Sequence, residues 1–360
     1  MNAAGASSGD VVHTPAEAAA AQLEPLVVLE PLEAFLDGAG LGSGPLSAAP
    51  IGEGHSNVTY LIERGGEKLV LRRPPRGPLP PSAHDVLREA RLLIALRPHG
   101  TPVPEVLATC DDPEVIGAPF YLMTFVDGWV LAGDLPAPLA GAGAPTRIGE
   151  ELVDNLVELH TLGPSAEGLA GFGRPDGYLE RQLKRFGGLL ETNMTRPLPD
   201  LERVTEWLSA NLPASPPPTV VHGDYRLGNV MYAPDEPRLA AILDWEMATI
   251  GDPLADVGYM TATWAGRDDP RNSVADLSPV TRLPGFPSRD DLARRYAERS
   301  GRTIEALGWY QVLAIWKAAI FLEGNYKRFV AGTTADPYYA SLEQGVPELA
   351  QAALARAQGA

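Results

Sequence analysis

PPTVVHGDYRLGNVMYAPDEPRLAAILDWEMATIGDPLADVGYM, residues 217–260, is the stretch from which the rest of the chain is read. Thr219–Val221 reads as a short strand, His222–Gly228 as a loop, Val230–Ala233 as a second strand, Pro234–Arg238 as a turn and Leu239–Leu243 as a third strand. Asn229 immediately precedes the second strand and Asp244 immediately follows the third. If these strands pair as a hairpin, both residues stand at its open end, roughly 5 Å apart. An amide oxygen and a carboxylate converging there are hard donors of the kind that suits Mg²⁺, which keeps several waters and completes its shell with phosphate oxygens. Asp224 lies five residues before Asn229, in the loop over the same end, where a carboxylate can take the proton of a hydroxyl.

Upstream, IGEGHSNVTYLIERGGEKLVLRRPP (51–75) reads as a β-hairpin turning at Gly65-Gly66, entered through a glycine-rich loop after the Gly/Ser/Pro stretch 38–50. In that loop Gly52, Gly54, Ser56 and Asn57 let backbone N–H groups approach phosphates, although the third glycine of a full GxGxxG is missing. Residues 83–96 have helical spacing and carry Glu89; VPEVLATC and PFYLMTFV read as two further strands. Helical patterns dominate after residue 127, at 147–161, 178–191, 200–211, 290–299, 305–331 and 338–357. The reading is therefore α+β, with a flexible tail at 1–25, a small β-rich lobe at 26–126 and a larger, mainly helical lobe at 127–357.

The pattern H-x-D-x-x-x-x-N (His222 to Asn229), then Asp244-Trp245-Glu246, Gly251-Asp252-Pro253 and Asp256, resembles the signature of the aminoglycoside phosphotransferase and choline kinase family. The resemblance implies a two-lobed protein-kinase-like fold and ATP- and Mg²⁺-dependent transfer of a phosphoryl group to the hydroxyl of a small molecule. It makes Asp224 the catalytic base and Asn229 and Asp244 the metal ligands. It places Arg72 where a phosphate-holding lysine is usual, oriented by Glu89, with Arg73 as the register alternative. A planar guanidinium fork is not a point charge, so this is a departure from the pattern. Backbone groups around Thr124 and Val126 fall at the hinge, where adenine would bind. LVLRRPPRGPLPPSAHDVLREARLLIAL and FLEGNYKRFVAG are similar to the kinase-like branch that precedes some acyl-CoA dehydrogenases, which implies a hydroxyacyl-CoA acceptor. An aminoglycoside or amino-sugar acceptor, a nucleotide-binding module without turnover, and metal-assisted hydrolysis are the alternatives.

Composition limits the partners. The 360 residues carry 29 Lys+Arg against 46 Asp+Glu, a net charge of −17, which lacks the broad basic field of a nucleic-acid or anionic-lipid binder. The single cysteine, Cys110, excludes an intrachain disulfide framework and fits a reducing cytoplasm. No basic-apolar leader and no long apolar run is present, so neither secretion nor a membrane span is expected. His222 is expected to organise its loop, and Asp252 and Asp256 to cap or tether the following helix. The aromatics of 305–331 are expected in the core. Lys317, Lys327 and Arg328 are expected on a solvated face, with contact to CoA phosphates as the functional reading. Oligomeric state is not legible.

Overall fold

The computed structural model describes residues 9–52, 57–77, 84–333 and 338–359, which divide into two units, Met1–Asp127 and Gly128–Ala360. In the first unit β4 (Val58–Arg64) and β5 (Glu67–Arg73) form the expected hairpin, in register from Val58 opposite Arg73 to Arg64 opposite Glu67. Its turn needs glycine: Gly65 has φ +57°, and a Cβ there would stand 2.0 Å from the Ser43 carbonyl oxygen. Among the described residues the hairpin is the centre of a five-stranded antiparallel sheet ordered β3-β4-β5-β7-β6, with β3 at Leu46–Pro50, β6 at Val106–Cys110 and β7 at Phe120–Thr124.

Strand alternation divides the two faces of this sheet. Leu69 and Leu71 join a core with Phe120, Leu122 and the buried stripe Leu29, Leu32 and Leu36 of α2 (Leu29–Ala39). Arg72 lies on the other face, towards α3 (Val86–Leu96), which Asp85 caps by accepting the Arg88 N–H at 2.8 Å.

Two segments depart from the sequence reading. Residues 46–50, read as part of a loop, are the edge strand β3, where proline is tolerated at the end of an outer strand. Residues 9–25, read as tail, carry structure. Val11–Val12 (β1) pairs in parallel with Val27–Val28 (β2), and Thr14 opens α1 (Pro15–Ala20) with a reciprocal capping box to Glu17. Asp10 pairs with Arg76 at 2.5 Å. A capped alanine run and one long-range ion pair supply the order that a scarcity of apolar residues hides. A short helix, α4 (Pro113–Ile116), completes this unit.

In the second unit β9 (Val230–Tyr232) and β10 (Leu239–Ile242) form the hairpin expected from sequence, with Val230 opposite Ile242 and the Leu243 N–H donating to the Asn229 carbonyl at 2.8 Å. β8 (Thr219–Val221) pairs instead with β11 (Thr249–Gly251), a strand the sequence reading missed because Thr-Ile-Gly is too short to show an alternation. The α-helices of this unit are α5 (Ala144–Leu159), which packs on β8 and β10, α6 (Tyr178–Asn193), α7 (Pro199–Ala210), α8 (Leu254–Ala262), α9 (Arg289–Ser300), α10 (Leu307–Val330) and α11 (Tyr338–Gln358) among the described residues. α10 packs against α6, α7, α8 and α11, and its Trp309, Tyr310 and Trp316 are buried there, whereas Phe321, expected in the same core, is exposed and Tyr326 half-buried. No helix among the described residues is long and apolar enough to cross a membrane.

Candidate active site

The three residues singled out in the second unit stand around the open end of the β9–β10 hairpin. Asn229 is buried, and its side-chain N–H₂ donates to the backbone carbonyl of Asp224 at 2.9 Å and to its Oδ2 at 2.6 Å. With both donors directed at Asp224, the amide oxygen of Asn229 is the end that faces a cation. Asp244 follows β10 with φ +64° and ψ +62°, a left-handed conformation that a non-glycine residue adopts at a cost of about 1–2 kcal/mol. Such strain clusters at functional sites, and here it turns a carboxylate off the end of a strand. Among the described residues no three His, Cys, Asp or Glu side chains form a complete metal cage. An amide oxygen with a carboxylate nevertheless fits Mg²⁺, whose remaining positions go to water and phosphate oxygens.

Asp224 is held on several sides. The Arg226 Nε lies 3.8 Å from its Oδ1. The Tyr259 hydroxyl also interacts with Asp224 and Arg226; burial, then the Asp224 charge, pushes that phenol far above its ordinary range, so it remains a proton donor. Tyr225 is buried and donates its hydroxyl to the Leu152 carbonyl at 2.8 Å, so it packs the loop rather than facing a substrate.

The loop carrying Asp224 is anchored from beneath. His222 is fully buried between the rings of Tyr225 and Trp245, with centroids at 5.8 and 4.7 Å. Its Nδ1 accepts the Asp224 backbone N–H at 3.2 Å, so the neutral ring carries its proton on Nε2 and donates it to the Leu243 carbonyl at 2.8 Å. One imidazole thereby joins the Asp224 loop to the residue before Asp244. The Asp256 carboxylate, on α8, accepts the backbone N–H groups of His222 at 2.7 Å and Gly223 at 2.8 Å. His160 Nε2 lies 3.3 Å from the same carboxylate, and its Nδ1 is 2.8 Å from the Tyr296 hydroxyl. Burial alone would raise the Asp256 carboxyl, but the hydrogen bonds it makes with the His160 side chain and the His222 backbone outweigh it and hold it below its ordinary value. Burial pushes His160 down, which keeps it neutral. Asp256 thus tethers the preceding loop rather than only its own helix, while Asp252 does cap α8, accepting the Leu254 N–H at 2.9 Å. His160 was missed: a lone histidine 62 residues before His222 carries no local signal.

In the first unit Arg72 and Glu89 meet as read from sequence. Arg72 Nε donates to Glu89 Oε2 at 3.0 Å and its Nη1 to Thr59 at 3.3 Å, with side chains 12% and 3% exposed. Arg73 is removed as the alternative: its guanidinium is buried on the opposite face, donating to the Pro74, Leu26 and Ile116 carbonyls. Asn57 is buried, with its Oδ1 3.0 Å from His84 Nδ1, and Gly52 has φ +80°. Gly54 and Ser56 lie outside the described residues. The Thr124 N–H donates to the Glu105 carbonyl at 2.9 Å, which takes that donor away from the set expected for adenine; Val126 is half-buried.

Lys317 corrects the solvated-face expectation. It is half-buried and lines a cleft with Tyr178, Gly223, Asp256, Tyr259 and Tyr310. Lys327 and Arg328 are exposed, Lys327 donating to the Thr192 carbonyl at 2.6 Å.

The fold is that of the kinase-like phosphotransferases. Residues 47–308 match the phosphotransferase enzyme family, and the chain belongs to that family. It is 35% identical over 306 residues to acyl-CoA dehydrogenase family member 10 of Mus musculus, covering 84% of this chain and 28% of that protein. To acyl-CoA dehydrogenase family member 11 of Homo sapiens it is 32% identical over 310 residues, covering 84% and 39%. The chain thus spans well under half the length of these relatives. Among solved structures it resembles a candidate aminoglycoside phosphotransferase from Ralstonia eutropha, with a TM-score of 0.76 and 31% identity over 92% of this chain and 98% of that one. Choline kinase from Streptococcus pneumoniae shares the fold, with a TM-score of 0.55 and 15% identity over 90% and 97%.

Proposed function

We propose that the chain moves the γ-phosphoryl group of ATP, with Mg²⁺, to a hydroxyl of a small molecule, with Asp224 as the base. The observation that carries this reading is the Asn229–Asp224 hydrogen bond at 2.6 Å, which ties a metal-ligand candidate to the proton acceptor in one rigid unit. Asn229 and Asp244 would hold Mg²⁺, whose charge offsets that on the β- and γ-phosphate oxygens. Asp224 orients the acceptor hydroxyl and takes its proton as the oxygen bonds to the γ-phosphorus and the bridging bond to ADP breaks. His222 and Asp256 keep the base in place, so the loop does not reorganise during transfer. In this reading residues 26–126 bind nucleotide, with Arg72 and the Gly52–Asn57 loop on phosphates, and residues 127–357 carry catalysis and the acceptor.

A hydroxyacyl-CoA acceptor is supported by the relatives named for acyl-CoA dehydrogenation. An aminoglycoside acceptor is the second reading, supported by the name of the Ralstonia structure. The single buried cysteine suits the cytoplasm as the place of action. ADP release with hydroxyacyl-CoAs, amino sugars, aminoglycosides and choline as acceptors tests the proposal. Acceptor-stimulated, Mg²⁺-dependent release is expected; phosphate release without any acceptor would instead mark a hydrolase.

A further inference from the structure

The cleft lined by Lys317 opens on Gly223, the residue before Asp224, and on Tyr259, which interacts with the Asp224 carboxylate. An ammonium group in such a place is normally there to neutralise a carboxylate. Here the nearest candidates are already engaged: Asp256 by the His222 and Gly223 N–H groups and His160, Asp224 by Asn229 and Arg226. Among the described residues no carboxylate stands within ion-pair distance of Lys317, whose Nζ lies over the Phe186 ring, 4.7 Å from its centroid. A cation held by an aromatic face in a partly dry cleft keeps its charge available to a ligand.

We propose that Lys317 reads the acceptor: it binds a carboxylate or thioester carbonyl oxygen flanking the hydroxyl that Asp224 deprotonates, and it repels polycationic acceptors. This rests on the phosphotransfer reading above and adds the acceptor's chemistry to it. Arg185 on α6 adds a second positive charge near Lys317, set against the Asp256 and Asp224 carboxylates, both of which already have partners of their own. A second consequence concerns pH. Burial, opposed by Asp256 and Asp224 and reinforced by Arg185, brings the ammonium down to about 8, so it loses its proton just above neutrality. Of the other titratable groups lining the cleft, Asp256 on α8 is held low and keeps its charge, while Tyr178 on α6, Tyr259 on α8 and Tyr310 on α10 are pushed upward by burial and stay neutral there.

The test uses 3-hydroxybutyryl-CoA, 3-hydroxybutyrate, choline and kanamycin as acceptors, with Lys317→Met and Lys317→Arg. The first two probes are expected to be phosphorylated, and Lys317→Met to raise their KM about tenfold with kcat little changed. Lys317→Arg should recover most of that loss. Wild-type KM should climb above about pH 8, and the climb should vanish in Lys317→Met. An unchanged KM in Lys317→Met, or a preference of the wild type for choline or kanamycin, overturns the proposal. If no probe accepts phosphate, the phosphotransfer reading fails for these acceptors, and NMR of the ¹³C-methylated lysines decides the inference separately. With four lysines in the chain the Lys317 signal is resolvable. Its movement on adding 3-hydroxybutyryl-CoA supports the proposal, and an unmoved signal overturns it.

Discussion

The side-chain amide of Asn229 donates to both the backbone carbonyl and the carboxylate of Asp224, at 2.9 and 2.6 Å. The contact holds the base and fixes which end of the amide faces outward. Asn229→Asp replaces a donor by a second carboxylate within hydrogen-bond distance. Like charges disfavour ionisation, so one proton of the new pair is retained to higher pH. The acid limb of the pH–rate profile should move up by about one pH unit or more, and the Mg²⁺ needed for half-activation should change as well. A profile that superimposes on the wild type would show that the two groups do not work together.

Asp244 combines strain and ligation in a single residue, and one substitution separates the two. Asp244→Gly relieves the left-handed backbone at φ +64° and removes the carboxylate. Thermal stability should be unchanged or higher, by up to about 1 kcal/mol. Mg²⁺-dependent turnover should fall at least 100-fold, checked by calorimetry and ADP release on the same preparation.

The His160–Asp256 contact predicts acid lability in two windows. His160 is pushed down in the fold, so below its unfolded value of about 6.5 the unfolded chain binds the proton first and stability falls with pH. Asp256 is also held low; its contribution is complete above about pH 4 and is lost as pH drops through its folded value. Urea midpoints between pH 7 and 5 should therefore decline in the wild type, by at most about 1.4 kcal/mol per pH unit for this histidine. His160→Gln should flatten that decline while leaving the loss below pH 4.

Gly223 is needed for conformation and for space. It has φ +85°, and a Cβ would stand 2.8 Å from the Met247 carbonyl oxygen and 2.9 Å from the Met247 Cβ. Gly223→Ala should cost about 2 kcal/mol or more and displace Asp224, lowering kcat more than stability. Circular dichroism melts beside steady-state assays distinguish this from simple unfolding.

Local patterns in the sequence carried much of this. The 58–73 hairpin announced itself by alternation and a double glycine, and Asn229 and Asp244 by their places at the two strand ends. The short strand Thr249–Gly251 did not, because three residues cannot display a period. Asp256 was visible as an acid near the site, but that it accepts N–H groups from residues 33 and 34 positions earlier was not. Lys317 and His160 reach the site through helix packing, and nothing adjacent in sequence marks them. The order in residues 9–25 depends on a cap and on Arg76, which lies 66 residues beyond its partner Asp10.

Asp224→Ala, assayed for acceptor-dependent ADP release at saturating Mg²⁺, tests the central assignment most directly. The carboxylate is partly exposed, so the variant should fold with a melting temperature near that of the wild type. Turnover should fall by about 100-fold or more, the range set by loss of a general base. A folded Asp224→Ala protein that still phosphorylates its acceptor at a rate close to the wild type would contradict the account.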